Sequence, residues 1–178
     1  MLKNSSMKSV VLFAAMYLGL SGCVSIPDMI EPVQGLELNK YVGKWYEIAR
    51  LDHSFERGLD QVTAEYSVRD DGGVRVINRG FSAKENQWKQ AEGRAYFVRD
   101  PTEGYLKVSF FGPFYGSYIV FGLDKENYQY AFITSHDKSY LWLLSRTPTV
   151  SDELVAQFTS TASALGFKTD QLIFVRHP

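Results

Sequence analysis

The sequence predicts an all-β protein: an eight-stranded antiparallel up-and-down barrel, or calyx, with one C-terminal α-helix and a short ninth strand. Three observations carry that expectation. Beyond residue 40, eight stretches of strand character succeed one another, and the links between them are too short for crossover helices. Twelve Phe, eleven Tyr and three Trp supply side chains that favour pleated surfaces. Near the start of this series stands Gly43-Lys44-Trp45-Tyr46-Glu47-Ile48-Ala49-Arg50, and near its end Trp142-Leu143-Leu144-Ser145-Arg146-Thr147-Pro148. Gly43 lets the chain turn, Trp45 is large enough to plug a barrel floor, and Arg146 is expected to lie across the indole.

Residues 1–22 have the layout of an export signal. Lys3 and Lys8 precede an apolar run from Val10 to Leu20 broken only by Gly19. As a helix at about 1.5 Å per residue the run reaches roughly 17 Å, well short of a hydrocarbon core of about 30 Å, so it does not suit a permanent span. It ends in Leu20-Ser21-Gly22-Cys23, and Cys23 is the single cysteine of the chain, which excludes an intrachain disulfide. This stretch resembles the bacterial lipobox, in which the thiol is lipidated, the signal is cut before the cysteine and the new amine is acylated. The alternative is ordinary cleavage that leaves an idle thiol. Several acyl chains on Cys23 would make a stable membrane anchor at about 0.8 kcal/mol per buried methylene. Residues 23–37 then read as the lipidated N-terminus and an extended tether, with Pro27, Pro32 and Gly35, and residues 38–178 as the barrel domain.

Within that domain Leu38 to Tyr41 is expected to form one helical turn. Strands are expected over Trp45 to Leu51, Gln61 to Arg69, Val74 to Phe81, Gln87 to Arg99, Tyr105 to Phe111, Phe114 to Leu123, Tyr128 to Ser135 and Tyr140 to Arg146. Gln61 to Arg69 alternates cleanly, and Asp70-Asp71-Gly72-Gly73 is a hairpin signal. Pro148 stops the eighth strand. A helix capped by Ser151 or Thr149 follows, with Leu154, Val155, Phe158, Ala162 and Leu165 at helical spacing and Gly166 at its end. Leu172 to Val175 is the ninth strand. The helix has to bury its stripe on the barrel's outer wall, so some strands should be apolar on both faces, with Tyr46 and Ile48 alternating with Trp45 and Ala49.

A Gly-x-Trp start, eight strands, an arginine ending the eighth, then a helix and a ninth strand together resemble the lipocalin family. The likeness is closest to bacterial outer-membrane lipoprotein lipocalins related to apolipoprotein D. It rests on Gly43 to Arg50, Phe55-Glu56-Arg57-Gly58, Lys107-Val108-Ser109-Phe110-Phe111-Gly112-Pro113-Phe114-Tyr115-Gly116, and Tyr140-Leu141-Trp142 through Thr147-Pro148, and covers roughly residues 33 to 176. Leu123-Asp124-Lys125-Glu126-Asn127-Tyr128 matches the family's second motif only loosely. The resemblance implies a calyx that binds a small hydrophobic ligand, a fatty acid or lysophospholipid, in membrane maintenance or stress. With Val24 rather than Asp after the cysteine, it also implies sorting to the Gram-negative outer membrane, domain facing the periplasm.

Strand parity from the floor at Arg146 sends Leu144, Trp142 and Tyr140 into the barrel, and on the fourth strand Ala91, Gly93, Ala95 and Phe97. Small residues facing large aromatics suggest an open apolar pocket for an acyl chain. Enzymatic activity is not expected. His53, His136 and His177 fall in loops or at the terminus without metal-ligand spacing, no cofactor motif or nucleophile elbow is present, and Glu47 reads as hydrogen-bonded near the floor. Arg57, Arg69 and Lys84 are surface charges within reach of a lipid headgroup. A net charge of −1 offers no face for nucleic acid. The competing class is a structural or assembly lipoprotein with a packed barrel and a protein partner; the preferred lipid and the oligomeric state, a homodimer included, stay open.

Overall fold

The computed structural model describes residues 24–178. Its centre is a ring of eight antiparallel strands: β1 (Gly43–Arg50), β2 (Leu59–Val68), β3 (Val74–Ser82), β4 (Gln87–Phe97), β5 (Tyr105–Phe111), β6 (Phe114–Leu123), β7 (Tyr130–Thr134) and β8 (Leu141–Ser145). Each strand pairs with the next, and β1 pairs with both β2 and β8, which closes the ring and removes its edges. A one-turn helix, α1 (Leu38–Tyr41), leads into β1. After β8 come α2 (Asp152–Ala164), a 3-10 turn at Thr169–Gln171 and β9 (Ile173–Phe174), which pairs outside the ring with the end of β1. Ser151 caps α2 by accepting from the Leu154 amide, and Asp152 and Glu153 occupy its first turn.

Alternation sorts the side chains into two cores. Trp45, Ala64, Tyr66, Val74, Val76, Ala95, Val120, Ala131, Ile133 and Leu144 fill the barrel interior. Ile48, Ala49, Ile119, Phe132, Leu141 and Leu143 form an outer layer against Phe158 and Ala162 of α2. Ala49 departs from the expected parity with Trp45. A bulge between Glu47 and Ala49, seen in the β1–β8 register, puts Ile48 and Ala49 both outward and turns Arg50 back inside.

The antiparallel order fixes two ends. β1 starts beside Arg146, so the loops at 69–73, 98–104 and 124–129 lie at that floor end, and those at 51–58, 83–86, 112–113 and 135–140 surround the opposite rim. The segment 24–37 is extended, but it is docked rather than free. Ser25 exchanges hydrogen bonds with Ser117 near the start of β6, donating its amide at 2.9 Å and accepting at its carbonyl at 2.7 Å. Val33 donates to the Val120 carbonyl and Leu36 to that of Thr102, while Ile30 and Leu36 are buried. This strap therefore runs down the outer wall from rim to floor. Cys23 and the signal stretch lie outside the described residues.

Candidate functional site

The floor is built by three residues. Gly43 has φ +98°, a backbone conformation that glycine adopts without strain, and its Cα packs beside the Arg146 guanidinium. Trp45 is fully buried and donates its indole N–H to the Tyr41 carbonyl at 2.8 Å. The Arg146 guanidinium sits 3.9 Å above the Trp45 ring and donates to the carbonyls of Lys40, Tyr41, Val42, Lys44 and Tyr128 at 2.7–3.2 Å. One cation thus stitches α1, the start of β1 and the turn before β7. Above it lies a tyrosine layer in which the Tyr118 hydroxyl meets those of Tyr41 at 2.7 Å and Tyr66 at 3.0 Å. Burial raises the pKa of all three, so these hydroxyls stay protonated.

The expected pocket residues do not form a single layer; they span the height of the barrel. Ala95 pairs with Val74, the first residue of β3 above a floor turn, and it is buried in the same interior cluster as Tyr66; Phe97 lies lower still. Gly93 is one row up, where a Cβ would strike Phe110 at 2.8 Å. Ala91 is exposed and stands at the mouth, above the buried part of the interior. β4 pairs with β5 only from Arg94 to Phe97, so above that row β3 and β4 continue as a two-stranded ribbon with Ala91 opposite Asn78. Leu144 is buried in the interior and Trp142 is half-buried there. Tyr140 precedes β8 rather than opening it, and stacks between Trp142 (ring centroids 5.9 Å apart) and Phe55 (6.2 Å).

Beneath the rim, sequence reasoning missed a buried polar group. The bulge in β1 brings Glu47 and Arg50 onto one face although they are three residues apart. Both are 2% exposed, and Arg50 Nη1 donates to Glu47 Oε1 at 2.6 Å. Arg50 Nη2 donates to the carbonyls of Glu56 and Leu59, each at 3.0 Å, which ties the 51–58 loop down. Glu56 accepts from the Trp142 indole at 3.1 Å and lies 3.0 Å from His53 Nε2. His53, expected to be solvated, is buried with its ring against Trp142, Phe55 and Tyr140. Glu47 stands one inward row above Trp45, paired with Leu144, and its hydrogen-bond partner is Arg50 rather than a floor group. Burial raises its pKa well above the usual carboxylate range, with the Glu56 charge adding to the effect. Burial also pushes Glu56 up, but His53, Glu47 and Trp142 together hold it below its ordinary value. Arg50 Nε, His53 Nδ1 and Asn78 Oδ1 are buried without a hydrogen-bond partner. The signal in the sequence was an arginine flanked by Ala49 and Leu51, an unusual charge at the end of an apolar strand.

Two of the three surface cations expected near a headgroup are engaged by neighbouring carboxylates, and Lys84 lies in the rim loop 83–86. Arg57 pairs with Asp52, and Arg69 with Asp71 at the floor end, away from the mouth. A crevice of about 330 Å³ opens on the wall where β4 and β5 separate, lined by Arg69, Glu92, Gly93, Arg94, Ser109 and Phe110.

A closed antiparallel calyx with a tryptophan–arginine floor, an outer helix and a largely apolar interior defines a class of small-ligand-binding barrels. The chain belongs to the lipocalin family: the lipocalin-like domain matches residues 36–177. It is 60% identical to the outer membrane lipoprotein Blc of Vibrio cholerae over 157 residues, 88% of this chain and 92% of that protein. Identity to the Blc of Escherichia coli K12 is 51%, over 85% of each chain. Bovine apolipoprotein D is 31% identical, over 79% of this chain and 77% of its own. Insecticyanin from the tobacco hornworm shares the fold, with a TM-score of 0.69 at 23% identity, covering 86% of this chain and 87% of that one.

Proposed function

We propose that this protein is an outer-membrane-anchored lipocalin that binds and carries single-chain amphiphiles, fatty acids or lysophospholipids, and that it acts by binding rather than catalysis. The supporting observation is a buried polar group set into an apolar interior wall. Val76, Ile133 and Leu144 line that wall, Leu144 pairs with Glu47 and Ile133 with Trp142, and from this level the Arg50–Glu47–Glu56 group continues toward His53 and the rim loop 51–58. An acyl chain can lie along the wall while the polar group offers donors and acceptors to a polar head, the arrangement common to pockets that orient an amphiphile. The outer-membrane anchor is supported by the names of the Blc relatives and by Leu20-Ser21-Gly22-Cys23.

The packed-barrel reading has one observation on its side: Val120, Ala131 and Ile133 are 0–1% exposed, so along β6 and β7 the interior is filled side chain against side chain. On the carrier reading the ligand occupies the rim half. Native mass spectrometry of the purified protein, followed by titration with palmitate and with lysophosphatidylcholine, tests the two. A co-purified acyl ligand and a change in tryptophan emission that is lost in Trp142→Phe support the carrier. A barrel without ligand and without affinity for either lipid supports the packed one.

A further inference from the structure

The chain leaves the barrel at its mouth. Ser25, next but one to Cys23, is held at the rim by its bonds to Ser117 and by its hydroxyl donating to the His136 carbonyl at 3.3 Å in the 135–140 loop. Val24 and Ile26 pack on the outer core, and the strap stays in contact down to Leu36 at the floor. A flexible tether would let the barrel tumble freely beneath its anchor. A strap clamped along its length instead fixes which end of the barrel the anchor pulls on.

The same end carries large exposed apolar side chains. Phe111 is 77% exposed and Phe114 63%, on either side of Gly112-Pro113, and Phe55 on the loop after β1 is 70% exposed. Single exposed apolar residues need no explanation, but three phenylalanines on the loops of one rim do. Phe55 also begins the stack Phe55–Tyr140–Trp142 that leads from the rim to the buried polar group. Charges on the four rim loops nearly balance, Asp52, Glu56, Glu85 and Asp137 against Arg57, Lys84 and Lys138, so attraction there would be apolar rather than electrostatic.

We infer that the rim is a bilayer-docking face: the strap presents the lipidated end of the chain beside the mouth, and Phe55, Phe111 and Phe114 enter the lipid surface so that the calyx opens onto the membrane that anchors it. Ligand then passes between bilayer and barrel along the aromatic stack without crossing water. The inference rests on the lipid-anchor reading of Cys23 but not on which ligand the calyx holds.

The test uses the full lipidated chain in phosphatidylcholine vesicles, with flotation checked first so that failure of the anchor is seen separately. Cys23 is the only native cysteine and on the lipid-anchor reading is acylated, so Phe111→Cys, Phe114→Cys and Val68→Cys each offer one site for an environment-sensitive dye; Val68 is exposed at the floor end. Docking predicts blue-shifted emission at 111 and 114, quenched severalfold by brominated acyl chains and unchanged by high salt, with position 68 still in water. Equal water exposure at all three positions would overturn it. So would shielding of 111 and 114 that grows with protein concentration but is not quenched by bromolipid, which indicates a second copy on the rim. Hydrogen exchange of the unmodified chain provides a check without substitutions: vesicles should slow exchange in residues 51–58 and 109–116 and leave 69–73 unaltered, and uniform slowing or none would count against the inference.

Discussion

The two ends of the barrel are built on opposite principles. At the floor the buried polar groups have assigned places: Arg146 covers Trp45 and donates to five backbone carbonyls, and three tyrosines satisfy one another. At the rim, Arg50, Glu47, Glu56 and His53 are buried with some polar atoms unpartnered, while phenylalanines stand in solvent. The floor therefore carries stability, and the rim retains unsatisfied groups that a ligand or membrane can meet. Such segregation is expected where a rigid scaffold positions a binding site.

The largest effect that would break this division is at Trp45. Its replacement by Ala should cost about 3–5 kcal/mol, read as a lower urea midpoint, as with other large core truncations. Arg146→Ala should cost less, about 1–3 kcal/mol, through the uncovered indole and the released carbonyls, with lipid affinity retained where the protein is folded. Urea melts of either variant overlaying wild type would remove the floor from the stability account.

A pH series sharpens the contrast at the other end. The folded pKa of Glu47 is raised, so the native state holds this proton more tightly than the unfolded chain does. Its contribution is fully present below the unfolded value of about 4.3 and is lost as pH rises through the folded value. Wild type should lose stability on this account as pH rises above the unfolded value, and Glu47→Gln should flatten that part of the profile, as measured by urea melts at each pH. A slope that survives the substitution would place the titration elsewhere.

Much of the barrel was legible because alternation is a local signal. The alternation of β2 from Val62 to Tyr66 and the cap at Ser151 reach the structure as read, and the Gly43, Trp45 and Arg146 spacing put floor residues at matching ends of β1 and β8. What failed depended on register. One bulge after Glu47 reversed Ala49, brought Arg50 inside and created the acid–arginine group; Arg50 between Ala49 and Leu51 is an unusual charge, but no residue type announces the bulge that turns it inward. The pocket residues shared a face, but parity says nothing about height, so Ala95 near the floor and Ala91 at the mouth could not be told apart. The strap was read as a tether because Pro27, Pro32 and Gly35 mark extended chain without revealing the wall it lies on.

The most direct test of the division compares Ala91→Trp with Arg146→Ala for both urea midpoint and lysophosphatidylcholine affinity. Ala91 is exposed on the inward face at the mouth, so a tryptophan there should weaken binding by tenfold or more and leave the midpoint within about 0.5 kcal/mol of wild type. Arg146→Ala should do the reverse, lowering the midpoint while the folded protein binds as before. If Ala91→Trp destabilises the barrel without touching affinity, or Arg146→Ala abolishes binding by folded protein, stability and binding are not divided between the two ends.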